Sequence, residues 1–534
     1  MRIAFISIRN HSRTADIEIS VRRHAVIVGA NDVGKSSILR LLNLTLGTST
    51  AGLYQALSVA DLRDPEKPLI VELTLSEFSD TERTLFPREI SIDSEDQETE
   101  SLKVQLRVER DPSDDQAVVI QRQFPEGGHD RAPTREQLES FGWRQIRASR
   151  ANSSGPLDSA IRTLLESADL GDRKKILTDL LAQFNDQLGK STPIAELLDR
   201  VAQHLRGAMP HEVTSSDFIV QSTTDPDKDV LGNVTLFLNR DGQPVSLHEQ
   251  SDGLRQLTAM ALFDLAEGTA NMLAIDEPEL HLHPSSQRTI AGLLSGDGNQ
   301  KIIATHSPFI LQRFEPSEVI AIDRDGQAHQ VPDSRLSAVD KERANWWSPR
   351  LLEALTSRYT LIVEGLADRI IVEAVARALD IDLDRLGAVV LELDGAEKFR
   401  HVYPLLGPQG FGVTLLGLVD ADAKDKWISA VGGKPKDVEN NVVFVSHEDL
   451  EDEYCKGLTP PEVEHALIQS DACKEGTFSI ESSSKEIVKF CRKNKVLAAS
   501  AIAASLSKDR AKAIESVSAL LSNLQTRHCL REFL

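Results

Sequence analysis

The chain is poor in the residues that mark several protein classes. Its 534 residues include four cysteines, four tyrosines, four tryptophans and four methionines, and aromatic residues make up 5 % of the whole. The cysteines, Cys455, Cys473, Cys491 and Cys529, all lie in the last fifth of the chain and show no CxxC spacing. That excludes a disulfide framework and a cysteine-based zinc site, so a reducing cytoplasm is the expected compartment. No apolar run reaches the roughly 18 residues of a membrane-spanning helix. The opening MRIAFISIRNHSR lacks the apolar core of a signal peptide. Basic residues are also scarce: 60 Lys and Arg stand against 82 Asp and Glu, for a net charge of −22. This excludes a chain that coats nucleic acid with overall positive charge, but not one with a local basic groove.

What is present is ordinary globular material, 40 % hydrophobic and 27 % charged, long enough for three or four domains at roughly 100–200 residues each. Apolar patterning predicts strands at 3–8, 17–21 and 25–28, the last running into a glycine-rich turn and a helix at 34–46. Further strands are expected at 69–75, 104–109 and 118–124. The acidic stretch 91–101 reads as a solvated loop. Helical periodicity from 157 to 209 marks an insertion in an α/β domain. Strands at 217–220 and 234–239 follow, then helix 253–265, strand 272–275, helix 286–294, strand 301–305 and closing strands in 315–331. The expected organisation is a first α/β domain at 1–155 and 211–335, a helical insertion at 156–210 that pairs with its copy, and a linker at 336–355. A small parallel α/β domain occupies 356–460, and a helical, basic region 461–534.

Gly29-Ala30-Asn31-Asp32-Val33-Gly34-Lys35-Ser36 matches G-x-x-x-x-G-K-[ST], set between an apolar strand and an amphipathic helix. Glycines let backbone N–H groups wrap phosphates, the helix N-terminus adds partial positive charge, the lysine reaches the outer phosphates and the serine hydroxyl binds Mg2+. Gly29, Asn31, Gly34, Lys35, Ser36 and Ser37 are therefore candidate nucleotide ligands. Downstream, Met272-Leu273-Ala274-Ile275 ends in Asp276-Glu277. Asp276 would hold the Mg2+ through water, and Glu277 would polarise the attacking water. His306, one strand later, is placed to meet the γ-phosphate. Ser251-Asp252-Gly253 opens the preceding helix, a second phosphate-binding device through Ser251 and Gly253. These four elements, in this order, resemble the ABC-type ATPase head of the RecF/SMC group. That resemblance implies two ATP molecules sandwiched in a dimer, the signature of one subunit completing the site of the other. The interval between Ser36 and Ser251 is too short for a long coiled-coil arm.

The second α/β segment gathers acids at strand ends, the edge where parallel sheets place active sites. The strand at 360–363 runs into Glu364-Gly365, with Asp368 on the next helix. The strand at 414–419 ends in Asp420-Ala421-Asp422, and that at 442–445 in Ser446-His447-Glu448-Asp449-Leu450-Glu451. Acids gathered in this way repel one another without a cation, and hard oxygen ligands suit Mg2+ or Mn2+. E-G-x-x-D followed by D-x-D and an acidic cluster resembles the Toprim domain of topoisomerases, primases and certain nucleases. The resemblance places metal ligands on Glu364, Asp368, Asp420 and Asp422, with Glu451 a further ligand and Glu448 and Asp449 as competitors.

An ABC-type head followed by Toprim resembles the OLD (overcoming lysogenization defect) nucleases, including the large subunit of Gabija-type phage defence. Ile146-Arg147-Ala148-Ser149-Arg150 and Leu393-Asp394-Gly395 are similar to segments of that family. Lys493-Asn494-Lys495-Val496-Leu497-Ala498-Ala499 is similar to the one that supplies a catalytic lysine, with Lys495 the first choice and Lys493 the alternative. The resemblance implies ATP and a two-metal Toprim site that hydrolyses DNA, a homodimer or higher homo-oligomer, a possible helicase partner and a role in antiphage defence. Two other readings stand beside it. A Toprim topoisomerase needs a tyrosine nucleophile, and only Tyr54, Tyr359, Tyr403 and Tyr454 exist. A nucleotide-sensing scaffold without nuclease activity needs a degenerate acid set, which Glu364, Asp420 and Asp422 do not suggest. The tail 481–534 has ten basic residues against five acidic ones, so a confined DNA path is expected beside the Toprim acids.

Overall fold

A computed structural model describes residues 1–92, 100–126, 131–147, 237–240, 243–246, 271–280, 282–296, 298–332, 334–335, 349–457, 459–474, 478 and 483–532, with isolated helical positions between 176 and 196. Residues 93–99 of the acidic stretch, most of the helical insertion, Ser251-Asp252-Gly253 and residues 336–348 of the linker lie outside the described residues.

The N-terminal half holds two sheets. The first is antiparallel, in the order β2 (Ile17–Ser20), β1 (Arg2–Arg9), β4 (Leu69–Ser76), β6 (Glu100–Asp111), β5 (Ile90–Ile92), with β7 (Asp114–Gln123) also on β6. Its period-2 pattern is strict in β4, where Leu69, Val71, Leu73 and Leu75 are fully buried and the residues between them are not. The second sheet runs β14 (Ala328–His329), β13 (Val319–Ile322), β3 (Ala25–Gly29), β12 (Gln300–Thr305), β11 (Met272–Asp276), β8 (Trp143–Arg147), parallel except for β14. Strands β3 and β12 are buried on both faces, as in a covered parallel sheet. Ala25 and Ile27 face a core shared with the first sheet and helix α1 (Lys35–Leu46), while Val26 and Val28 face the opposite core. A hairpin, β9 (Phe237–Arg240) with β10 (Gln243–Ser246), completes the described strands of this half.

That opposite core continues without a break into the second α/β unit through Leu352, Leu355, Phe411 and Val413. There a four-stranded parallel sheet runs β16 (Ala388–Glu392), β15 (Tyr359–Val363), β17 (Leu415–Val419), β18 (Val443–Val445). Its other face packs on α3 (Leu366–Ala378), α4 (Leu450–Gly457), α5 (Ser484–Lys493), α6 (Lys495–Ser505) and α7 (Glu515–Glu532), while α2 (Pro284–Leu294) lies on the head. The C-terminal helices thus build the core under the small sheet. Among the described residues no helix is long and apolar enough to cross a membrane.

Candidate nucleotide cleft and acidic site

The chain leaves β3 at Gly29, where a Cβ would stand 2.4 Å from the Ile322 carbonyl oxygen. Gly34 has φ +96°, and a Cβ there would meet the Arg13 carbonyl oxygen at 2.6 Å. Both glycines are demanded by the path of the loop. Lys35 is buried and donates to the carbonyls of Gly29 (3.2 Å) and Ala30 (2.7 Å). Burial lowers its pKa to about 8 against the pull of Glu277 and Asp276. The Ser36 hydroxyl donates to Asp276 Oδ1 at 3.0 Å, across 240 residues of sequence. Glu277 follows with φ +51°, its N–H bonded to the Ala304 carbonyl at 2.9 Å. His306 Nε2 is 3.9 Å from Glu277 Oε1. Burial, reinforced by Lys35, depresses the imidazole to about 4, so the ring is neutral at pH 7. Asn31, Gly34, Lys35, Ser36, Ser37, Glu277 and His306 line one open cleft of about 990 Å³. Sequence reasoning missed Glu279. It is half-buried, accepts from Thr305 Oγ1 (2.8 Å) and the His306 N–H (2.5 Å), and so fixes the loop that carries His306. Its only local signal is a third acid after Asp276-Glu277.

At the C-terminal edge of the small sheet the acids do converge. Glu364 Oε1 accepts the Asp420 N–H at 3.0 Å, and Asp420 Oδ1 accepts the Leu450 N–H at 3.1 Å. Asp368 Oδ2 caps its own helix by accepting the Gly365 N–H at 2.9 Å. Glu451 is 2 % exposed, and its Oε2 has no hydrogen-bond partner among the described residues. The Lys495 ammonium is 3.4 Å from Glu451 Oε1 and 4.0 Å from Asp420 Oδ2. Helices α3, α4 and α6 all begin at this edge, so their partial positive ends face it. Burial pushes Asp368 up to about 6, with Glu364 and Glu451 adding. Burial likewise pushes Asp420 up to about 7, with Glu364 and Asp368 adding and Lys495 opposing. Glu364 and Glu451 are also raised, first by burial. Burial pulls Lys495 down, but Glu451, Asp420 and Asp368 together leave it raised. Asp422 is exposed on the turn after Asp420, close enough for its charge to act on Glu364.

Lys493 is exposed and makes no ion pair among the described residues, so the geometry brings Lys495, not its alternative, to the acids. Glu448 and Asp449 are instead engaged by Arg492, whose Nη2 and Nε reach them at 3.1 and 2.5 Å. Among the described residues no three His, Cys, Asp or Glu side chains close into a ready-made cage for an ion. Lys495 supplies the positive charge that Glu451 and Asp420 face. Tyr359 and Tyr454 are buried in the core, which leaves neither as a nucleophile for a topoisomerase. The signature residues Ser251 and Gly253, and residues 148–150, lie outside the described residues.

Comparison with known proteins agrees with this layout. Residues 25–312 match the family described as "AAA domain, putative AbiEii toxin, Type IV TA system". Residues 355–422 match "Overcoming lysogenization defect protein-like, TOPRIM domain". Endonuclease GajA of Bacillus cereus is 24 % identical over 263 residues, which is 47 % of this chain but only 43 % of that protein. OLD nuclease of Thermus scotoductus is 22 % identical over 73 % of this chain and 76 % of its own length. For Old nuclease of Escherichia phage P2 the figures are 22 %, 93 % and 88 %. Among solved structures, the C-terminal region of the Xanthomonas campestris OLD protein covers 33 % of this chain and 96 % of that chain, at 23 % identity and a TM-score of 0.29. The chain belongs to this AAA-domain family, and behind that ATPase domain it carries a match to an OLD-like Toprim domain.

Proposed function

We propose that the protein is an ATP-binding, divalent-metal-dependent DNA endonuclease in which a dimer of ATPase heads governs access to the Toprim acids, and that it serves in antiphage defence. The observation that carries this reading is the Lys495 ammonium set 3.4 Å from Glu451 and 4.0 Å from Asp420, among buried carboxylates at a parallel-sheet edge. The donor set fits Mg2+ or Mn2+: it is all hard oxygen, burial holds Glu364, Asp368, Asp420 and Glu451 above their usual pKa values, and Glu451 Oε2 is buried without a partner among the described residues. Glu364, Asp368, Asp420, Asp422 and Glu451 would hold the cations. A bound cation would supply Lewis acidity there, making a water easier to deprotonate and offsetting charge on the leaving oxygen. Lys495 offsets charge on the phosphate undergoing attack. Glu364 is held in place by the Asp420 N–H, and Asp368 by its own helix.

At the other site, Lys35 and the loop Gly29–Ser37 would bind the nucleotide phosphates, and Ser36 with Asp276 would hold their Mg2+. Glu277 orients the water, and neutral His306 offers a hydrogen bond beside it. Cleavage of DNA is already downhill, so ATP serves as a control and not as the energy source. Plasmid nicking with Mg2+ or Mn2+ tests the nuclease: wild type should convert supercoiled DNA, and Asp420→Ala should not. Undiminished product in the variant, or product without metal, refutes the site. Identical cleavage rates with and without ATP would remove the control role.

A further inference from the structure

The site holds two more acids than the five assigned to the cations, and one arginine accounts for both. Arg492 closes α5, 41 % exposed along its side chain, and grips Asp449 Oδ2 with Nε at 2.5 Å and Glu448 Oε2 with Nη2 at 3.1 Å. Asp449 uses its other oxygen, Oδ1, to accept the Asp452 N–H at 2.7 Å, which caps α4 two residues before Glu451. The same loop is bonded to the D-x-D turn. The Ala421 N–H donates to the Glu448 carbonyl at 3.0 Å and the Leu450 N–H to Asp420 Oδ1 at 3.1 Å. Arg492 therefore sits at a junction of three parts: the helix start that carries Glu451, the turn that carries Asp420 and Asp422, and the segment that delivers Lys495.

We infer that Arg492 is a positioning residue of the Toprim site. It keeps the Glu448 and Asp449 carboxylates turned away from the cations and holds the Glu451 helix in register with the D-x-D turn. This rests on the nuclease reading above. Paired carboxylates are poor competitors for a divalent ion. Released ones, two and three residues from Glu451, would draw it off its place or bind it in a second, unproductive way. The grip is directional: two nitrogens of one planar guanidinium serve two carboxylates, a geometry that an ammonium cannot reproduce.

The test uses full-length protein and Mn2+, with binding read on the DNA-free protein by electron paramagnetic resonance beside the Mn2+ dependence of nicking. Arg492→Ala should raise the Mn2+ concentration for half-maximal binding and half-maximal nicking by about 10–100-fold, the usual effect of losing an outer-shell partner. Arg492→Lys should fall between. The deciding variant restores the balance from the other side. Adding Glu448→Gln and Asp449→Asn to Arg492→Ala removes the freed charges while Asn keeps the capping oxygen, and should bring Mn2+ dependence back to within about threefold of wild type. If Arg492→Ala leaves Mn2+ binding unchanged and weakens only DNA affinity, Arg492 is a phosphate contact and the proposal fails. If the triple variant stays as impaired as Arg492→Ala, the role is structural and the proposal fails as well. Loss of the nuclease reading looks different, because Asp420→Ala would then still cut DNA.

Discussion

Lys493 and Lys495 are two residues apart, yet only one meets the acids, because Asn494 (φ −123°, ψ 44°) breaks the helix between them. Lys493 ends α5 in solvent, and Lys495 opens α6 against Glu451 and Asp420. Lys495→Ala should therefore slow nicking by about 10²–10³-fold, the cost of deleting a charge-stabilising donor. Lys493→Ala should leave the chemical step intact; the reverse ranking in single-turnover nicking would move the catalytic lysine. The same pocket fixes a pH dependence. In the cation-free fold Asp368 and Asp420 keep their protons up to about 6 and about 7, whereas an unfolded carboxylate releases them near about 4. Between those values the folded state binds more protons than the unfolded one, so its stability falls as pH rises through the window. A divalent ion must displace those protons, so its affinity rises over the same window. The melting temperature of EDTA-treated protein should drop between about pH 5 and pH 8, and the increment from added Mn2+ should be larger at the higher pH. Equal increments at both ends would mean that the acids are ionised throughout.

At the scale of elements, what the sequence makes visible is what is local. Each strand of the small sheet is a run of buried Val, Ile and Leu ending near an acid. The P-loop, the Asp276-Glu277 pair, Glu364 with Asp368 and the D-x-D turn all lie within a few residues of the strand that positions them. What stays hidden depends on packing across the chain. Arg492 meets acids 43 and 44 residues away, and Glu279 meets a loop 27 residues away. The short edge strand β8 has no run of its own and owes its place to β11, with Ile146 opposite Ile275. Gly417 is another such case. In the run Leu415–Val419 it reads as a weak point of a strand, but a Cβ there would stand 2.7 Å from the Trp427 ring. That ring stacks on Phe399 with centroids 3.9 Å apart and donates to the Ala396 carbonyl at 2.9 Å. The glycine makes room for the tryptophan beneath the sheet. Gly417→Ala should cost about 1–3 kcal/mol in urea unfolding by overpacking this layer, and an unchanged midpoint would show that the stack yields freely.

Over the whole molecule, the net charge of −22 and the basic tail have to be weighed together. The tail is less free than its composition implies. Arg492 is held by Glu448 and Asp449, Lys508 pairs with Asp380, and Arg510 pairs with Glu462. Lys485, Lys489 and Lys493 remain exposed on α5 at i, i+4 and i+8, which is one helix face, and the helix leads directly into Lys495. Elsewhere the acidic surface repels phosphate, so DNA should touch the protein over few phosphates. Each neutralised phosphate contributes about −0.9 to the slope of log affinity against log salt, so three lysines give about −3. Binding of a short duplex to the cleavage-silent Lys495→Met protein with Mn2+ present measures this slope directly. Changing all three lysines to glutamate should flatten it toward zero and weaken binding, while Mn2+ binding to the DNA-free protein holds steady. A wild-type slope several times steeper, or DNA affinity untouched in the triple variant, would place the DNA on another face of the molecule.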